Sequence, residues 1–155
     1  MHFEGRETIK APMSAVWEFF LTPQRVAECA PGFQSMEILS PEHFKPRVGV
    51  GIGAVKANFT LDILLTDLRA PDHAGMKGHG VAAGSAVDMV GRVDLVAESE
   101  SVTRLEWVAD VNVSGTLASV GGRLLESTAR KMTAKFFGNT REKLEASAPT
   151  VTVTG

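Results

Sequence analysis

The feature that most constrains the fold is a long series of segments in which apolar and polar residues alternate. The first segment is His2–Lys10, and the alternation resumes at Phe33 and continues, with short interruptions, as far as Val113. A period of two predicts β-strands with one apolar and one polar face. Short connections predict that consecutive strands pair antiparallel. We therefore expect a curved seven-stranded antiparallel sheet whose apolar face must be covered by another element.

Two short helices are predicted between the first and second strands. Apolar residues recur at helical spacing over Met13–Phe20. Thr22–Pro23 then supplies an N-cap candidate and a first-turn proline for a second helix. That helix should end at Pro31–Gly32, because this pair does not continue a helix.

A third, much longer helix is the predicted cover of the sheet. Helical periodicity extends from about Leu117 to Glu145, with Ser114 or Thr116 as the N-cap, and no proline occurs before Pro149. Such a helix is roughly 40 Å long at 1.5 Å per residue. It can therefore lie along the apolar face of the whole sheet.

The chain length favours a single domain. With 155 residues, 44% of them hydrophobic, the chain can bury a substantial core. We expect one α+β domain over residues 1–146 and a flexible tail over residues 147–155. A curved sheet cannot pack tightly along a straight helix, so a gap should remain between them, and such gaps bind ligands.

The candidate ligand contacts are side chains predicted to face this gap, together with the short helices that border it. Each of them has the alternative explanation that it belongs to an ordinary hydrophobic core. The candidates are Trp17, Phe20, Val26, Phe44, Val48, Val50, Phe59, Leu61, Ile63, Met76, Val87, Met89, Trp107, Val111, Leu124, Thr128 and Met132.

Glycines within the predicted strands require an explanation, because glycine weakens a strand. They are Gly75, Gly78, Gly80, Gly84 and Gly91. One explanation is sharp bending of the sheet with β-bulges. The other is that the missing side chains leave room for a ligand, and the two are compatible.

The sequence predicts neither a catalytic nor a metal site. Its four histidines, His2, His43, His73 and His79, are scattered and lack metal-ligand spacing. Glu7 falls on the apolar face of the first strand, where it is a candidate buried acid, although a solvated carboxylate is the simpler interpretation. The single cysteine, Cys29, excludes an intrachain disulfide.

Charge and hydropathy argue against several other classes of protein. A net charge of −2 and an aromatic content of 6% do not favour nucleic-acid binding. The polar N-terminus does not resemble a signal peptide, and no apolar run is long enough to span a membrane. We expect a cytoplasmic protein with at most peripheral contact at the inner face of the membrane.

Four stretches of the sequence resemble one family. They are APMSAVWEFFLTPQRVAECAPG at residues 11–32, GHGVAAGSA at 78–86, TRLEWVADVNVSGTLASVGGRLL at 103–125 and ARKMTAKFFGN at 129–139. The first resembles the START/Bet v 1-like superfamily of polyketide cyclases and lipid-transport proteins. Together they look like the family of the carbon monoxide dehydrogenase G subunit. The resemblance implies a helix-grip fold, in which the sheet wraps around the long helix.

The resemblance also implies a function. Members of that family are associated with molybdenum-containing dehydrogenases, with their attachment to membranes and with the transport of menaquinone. We expect a non-enzymatic carrier that has no cofactor other than a bound quinone or lipid. Two alternatives stay open: a docking or assembly subunit that transports nothing, and a cyclase-like enzyme.

A route for the ligand is also expected. The gate would consist of the short helices at Trp17–Ala30, a hairpin at Phe44–Val50 and the start of the long helix. Some family members carry a C-terminal tail that contacts the membrane, and no such apolar segment follows Pro149 here. Autonomous anchoring is therefore not expected, although basic residues of the last helix could meet anionic lipid.

Overall fold

The computed structural model describes residues 1–147, and these form one antiparallel sheet of seven strands with helices on one face. The strand order is β1-β7-β6-β5-β4-β3-β2, with every neighbouring pair antiparallel. This confirms the predicted fold class. The strands are β1 His2–Ile9, β2 Phe33–Ser40, β3 His43–Ile52, β4 Val55–Arg69, β5 His73–Ala82, β6 Ser85–Ala97 and β7 Thr103–Gly115.

The register of the strands separates two faces. Phe3 lies opposite Ala109, and Ile9 opposite Thr103, so alternate residues of β1 and β7 share a face. Phe3, Ile9 and Thr103 are buried there. Arg6, which lies between Phe3 and Ile9 in sequence, is exposed. We call the face toward the helices the inner face and the opposite one the outer face.

The two short helices form as predicted and are attached to the long helix. They are α1 Met13–Phe20 and α2 Pro23–Glu28. Thr22 occupies the N-cap position of α2 but does not cap it, because its hydroxyl donates to the carbonyl of Glu18 at 2.8 Å. The side chain of Asn139 donates to the carbonyl of Cys29 at 3.0 Å, and Lys143 donates to Glu28 at 2.7 Å. These contacts hold the end of α2 against the third helix, α3 Gly122–Ser147.

The long helix begins later than predicted, so the predicted start at Leu117 is wrong. Residues Thr116–Val120 form a short 3₁₀ helix, and the chain breaks at Gly121, whose φ is +101°. The backbone N–H of Leu117 donates to the hydroxyl of Ser85 at 2.9 Å, which holds this segment to the β5–β6 turn. Neither Ser114 nor Thr116 caps the helix; Gly115 occupies the cap position of the 3₁₀ segment. At the other end Ser147 is still helical, and the remainder of the predicted tail lies outside the described residues.

The hydrophobic core is divided into two clusters. The helix-end cluster joins α1, α2 and the C-terminal half of α3 to β1, β6 and β7. It consists of Ile9, Ala11, Val16, Phe19, Cys29, Leu95, Leu105, Phe137 and Leu144. The turn-end cluster joins the β3–β4 hairpin to the 3₁₀ segment and the start of α3, and consists of Ile52, Phe59, Leu117 and Leu125.

The glycines of β5 and β6 are only partly explained by β-bulges. The register of the β5–β6 pair is continuous from His73 to Ala82, so no bulge lies between these two strands. The β4–β5 pair does shift register beside Gly75, between Thr66 and Arg69 of β4. A Cβ at Gly80 would lie 2.3 Å from Leu61 Cδ2 and 2.8 Å from Val87 Cγ1, and one at Gly78 would lie 2.9 Å from Met89 Cγ. Side chains of the neighbouring strands therefore occupy the space that the glycines leave. Gly84 has a different role, since it lies in the β5–β6 turn with φ +72°.

Candidate ligand-binding site

The candidate site is the part of the inner face between the two clusters. Along β6, Val87 packs against the turn-end cluster, whereas Val93 and Leu95 belong with the helix-end cluster. Met89 and Gly91 lie between them and are only partly buried. The inner face of β6 therefore has a middle section that neither cluster seals.

The same pattern occurs on β7. Val113 packs against the turn-end cluster, and Leu105 and Trp107 pack at the helix-end cluster. Between them, Ala109 and Val111 keep part of their surface accessible. Because Met89 is the register partner of Val111, the unsealed sections of the two strands adjoin.

The long helix crosses this middle section without filling it. Leu125 belongs to the turn-end cluster and Phe137 to the helix-end cluster, and Thr128 and Met132 between them are partly buried. The backbone of α3 approaches the sheet most closely at β1 and β3, near its two edges. The side chains between the middle of α3 and the central strands are mostly apolar and keep part of their surface accessible.

The structure places the predicted contact residues in four groups, and this distribution does not itself test ligand binding. Trp17, Phe20, Val26 and Trp107 pack against the helix-end cluster. Phe59 belongs to the turn-end cluster, with Val50, Leu61 and Val87 packed against it. Phe44, Val48 and Ile63 are buried, and Leu124 is exposed. Met76, Met89, Val111, Thr128 and Met132 are partly buried outside both clusters.

The predicted gate is not a single structural element. Its short helices pack with the C-terminal half of α3 in the helix-end cluster, whereas the start of α3 belongs to the turn-end cluster. The segment Phe44–Val50 lies inside strand β3 rather than in a hairpin. The short helices and the start of α3 therefore belong to different clusters, and the gate stays a prediction.

One polar group within the site has no partner among the described residues. The indole Nε1 of Trp107 is buried without a hydrogen bond. The ring packs on β1 where Gly5 leaves space, since a Cβ there would lie 2.8 Å from this nitrogen. Its other neighbour is Phe137 of α3, with ring centroids 5.3 Å apart.

The acid predicted on the inner face is already paired. Glu7 is partly buried rather than fully solvated, and its carboxylate accepts a hydrogen bond from Arg141 of α3 in an ion pair. The sequence pattern did not reveal this partner, because Arg141 is far away in the chain and on another element.

The histidines are scattered over the sheet as predicted, and each contacts an aspartate on a neighbouring strand. The pairs are His2–Asp110 at 2.8 Å and His43–Asp62, His73–Asp94 and His79–Asp88 at 2.6 Å each. The hydrogen bonds that the His2 ring makes to the carboxylates of Asp110 and, second, Glu4 raise the pKa of His2 above its usual 6.5. His79 is exposed, as predicted. Within residues 1–147, no group of three or more such side chains is arranged to bind a metal ion.

The single thiol is also unsuited to chemistry. Cys29 is buried, and its Sγ donates to the carbonyl of Arg25 at 3.4 Å. Burial raises the pKa of the thiol, so the reactive thiolate is disfavoured.

Two shallow depressions lie on the outer face, away from the inner space. One, of about 360 Å³, is lined by residues that include Leu64, His79, Asp88 and Val90. The other, of about 380 Å³, lies among Arg6, Arg92, Glu106 and their neighbours. Among the described helices, none is both long and apolar enough to cross a bilayer.

Comparisons with known proteins agree with this architecture. The solved structure of a conserved protein from Geobacillus kaustophilus is 25% identical, with a TM-score of 0.88, and the match covers 95% of this chain and 97% of that one. A START superfamily protein from Mycobacterium smegmatis matches with a TM-score of 0.72 at 12% identity, over 94% of this chain and 97% of that one. The Zhui aromatase/cyclase from Streptomyces sp. R1128 matches with a TM-score of 0.71 at 17% identity, over 96% and 98%.

The last two similarities show the fold alone, which is START/Bet v 1-like. No curated protein matches the chain significantly in sequence. Residues 5–145 match the family of the carbon monoxide dehydrogenase G subunit, CoxG. The match covers most of the chain, including both clusters and the space between them. The chain therefore belongs to the CoxG family.

Proposed function

We propose that this protein is a non-enzymatic carrier that holds an apolar ligand, a menaquinone-like quinone or a lipid, between the inner face of the sheet and α3. It would serve a carbon monoxide dehydrogenase or a related oxidoreductase, as its family suggests. One observation carries the proposal. Apolar side chains on β6, β7 and α3 stay partly accessible between two sealed clusters.

The driving force for binding is burial of apolar surface. Each Å² of apolar surface removed from water contributes about 25 cal/mol, so an isoprenoid chain gains affinity along its whole length. Met76, Met89 and Met132 suit this task, since flexible thioether side chains adapt to ligands of different shape.

The available chemistry supports a carrier rather than an enzyme. Glu7 is held by Arg141, and the pKa of Cys29 is raised by burial. His79 is exposed and hydrogen-bonded to Asp88. None of these groups forms a nucleophile–base pair facing the inner space.

A docking subunit is the second candidate function, and the outer face favours it. Leu64 and Val90 are exposed there beside the His79–Asp88 pair, around the depression of about 360 Å³. A partner dehydrogenase would cover these side chains, and the inner space would then have no role in transport.

The experiment is native mass spectrometry of the purified protein, combined with organic extraction. The proposal predicts a co-purifying quinone or lipid, and a rise in melting temperature when a short-chain quinone is added to stripped protein. An empty protein without a quinone-dependent shift would contradict the carrier and favour docking. Turnover of a polyketide-like substrate, lost in Glu7→Gln, would instead establish a cyclase-like enzyme.

A further inference from the structure

One end of the molecule combines exposed apolar side chains with positive charge. Three connections meet there, namely the β3–β4 turn, the β5–β6 turn and the segment between β7 and α3. The N–H of Thr116 donates to the carbonyl of Gly84 at 2.9 Å, which joins two of them. A Cβ at Gly53 would lie 3.3 Å from Leu124 Cδ2, so the β3–β4 turn contacts the start of α3. We call this surface the turn end.

Large apolar side chains are exposed to solvent at the turn end. Val55 is 42% exposed and Leu124 39% exposed, and Val81 on the neighbouring strand is 50% exposed. Ala54 and Ala83, at the tips of the two hairpins, are exposed as well. Exposed apolar side chains that lie close together mark contact sites more often than single exposed ones do.

The charged side chains in the segments that form the turn end are cations, and the acid that follows them on α3, Glu126, is paired with Arg130. Residues 51–58, 81–87 and 112–124 contain no aspartate or glutamate, whereas Lys56 and Arg123 are both exposed. Neither cation forms an ion pair with a residue in the described part of the chain. The chain as a whole carries a net charge of −2, so these segments depart from its average.

The opposite end has the reverse character. Acidic side chains outnumber cations in and around α1, α2 and the β4–β5 and β6–β7 turns. The acids are Glu18, Glu28, Asp67, Asp72, Glu98 and Glu100. Three of them are paired, Glu28 with Lys143, Asp67 with Arg69 and Glu98 with Arg104. The molecule therefore carries a charge asymmetry along its length. Near an anionic surface this asymmetry favours the approach of the turn end.

We propose that the turn end docks on an anionic lipid surface, with Val55 and Leu124 in the interfacial region and Lys56 and Arg123 at the headgroups. Two cations are too few to hold nucleic acid, but cations flanking a small apolar tip fit a lipid interface. The turn-end cluster beneath this surface borders the inner space. This inference rests on the proposed carrier function, since it identifies the end through which a ligand would leave the membrane.

The test is co-sedimentation of the full chain with vesicles of phosphatidylcholine, with and without phosphatidylglycerol. Wild-type protein should sediment with the anionic vesicles and much less with phosphatidylcholine alone, and added salt should weaken the binding. The double variant Lys56→Glu/Arg123→Glu should lose at least about tenfold in apparent affinity. Val55→Asp should show a loss of similar size.

Matched controls on the outer face separate docking from a general effect of charge. Val90 is 54% exposed there, so Val90→Asp makes the same change as Val55→Asp on a different surface. Lys77→Glu is the corresponding control for the cations. Both should bind vesicles like the wild type, and melting curves should show that every variant is folded. Failure of the wild type to sediment, or equal losses in turn-end and outer-face variants, would overturn the inference.

Ligand binding without vesicles distinguishes this inference from the carrier proposal. Lys56→Glu/Arg123→Glu should bind a short-chain quinone in solution as the wild type does. Wild-type protein that sediments with anionic vesicles but binds no quinone would overturn the carrier and leave lipid docking intact. Normal quinone binding by a wild-type protein that does not sediment would overturn lipid docking and leave the carrier proposal intact.

Discussion

The carboxylate of Glu7 in β1 forms an ion pair with the guanidinium of Arg141 in α3, across 134 residues of sequence. The pair joins the first strand to the last helix at the edge of the sheet. The same contact therefore holds the inward acid of β1 against a cation of α3 and contributes to the fold.

Glu7→Gln should lower the free energy of unfolding by about 1 kcal/mol, because a charge-assisted hydrogen bond to a partly exposed cation is lost. Denaturant unfolding measures this difference. The control is Glu106→Gln, which removes exposed pairings with Arg6 at 3.4 Å and Arg104 at 3.5 Å. We expect a smaller effect there, and equal effects of the two substitutions would show that the Glu7 pair has no special role.

The glycines of β5 give a second prediction. Gly80→Ala should destabilise the protein by about 1–3 kcal/mol, because the new methyl group overlaps Leu61 and Val87 and forces repacking. Gly51→Ala is the matched control, since a Cβ there meets no atom within 4 Å. Thermal unfolding of both variants tests the explanation, which fails if Gly80→Ala is as stable as Gly51→Ala.

The buried thiol gives a third prediction. Because burial raises the pKa of Cys29, native protein should react with iodoacetamide at least about tenfold more slowly than unfolded protein near neutral pH. Mass spectrometry of timed samples, with and without guanidinium, measures both rates. Similar rates would mean that the region around α2 opens readily in the native state.

A pH dependence follows from His2. Its hydrogen bond to Asp110 raises its pKa above 6.5 in the folded state, so folding favours the protonated form. The resulting stability is fully present below 6.5 and is lost as the pH rises through the folded-state pKa. The free energy of unfolding of His2→Gln should therefore differ from that of the wild type at acid pH and approach it at alkaline pH. Denaturant unfolding over a pH series checks this, and a difference independent of pH would exclude the ion pair as its cause.

The architecture could be predicted from the sequence because it depends on local patterns. Alternation specified the strands, and the helical spacing in Met13–Phe20 specified α1. The start of α3 was misplaced because Gly121 adopts a left-handed φ and the preceding segment is held by Ser85 of a distant turn. Periodicity does not report such long-range contacts.

The site could be predicted only as a set of inward residues. Alternation indicates that Phe59 and Met89 both face inward, but not that Phe59 is sealed in a cluster while Met89 stays partly accessible. That difference depends on where along its length α3 is separated from the sheet. The turn end left one signal in the sequence, the absence of carboxylates from residues 51–58, 81–87 and 112–124, but only the fold brings those segments together.

The central claim is that the inner space between the clusters holds the ligand, and Met132→Trp tests it most directly. An indole at this position should fill open space, so the variant should stay folded, whereas Leu125→Trp in the sealed turn-end cluster should cost about 1–3 kcal/mol by overpacking. The deciding measurement is calorimetric titration of wild-type protein and Met132→Trp with a short-chain naphthoquinone. The account predicts saturable binding by the wild type and at least about tenfold weaker binding by a folded Met132→Trp. No binding by the wild type, or equal binding by both proteins, would contradict it.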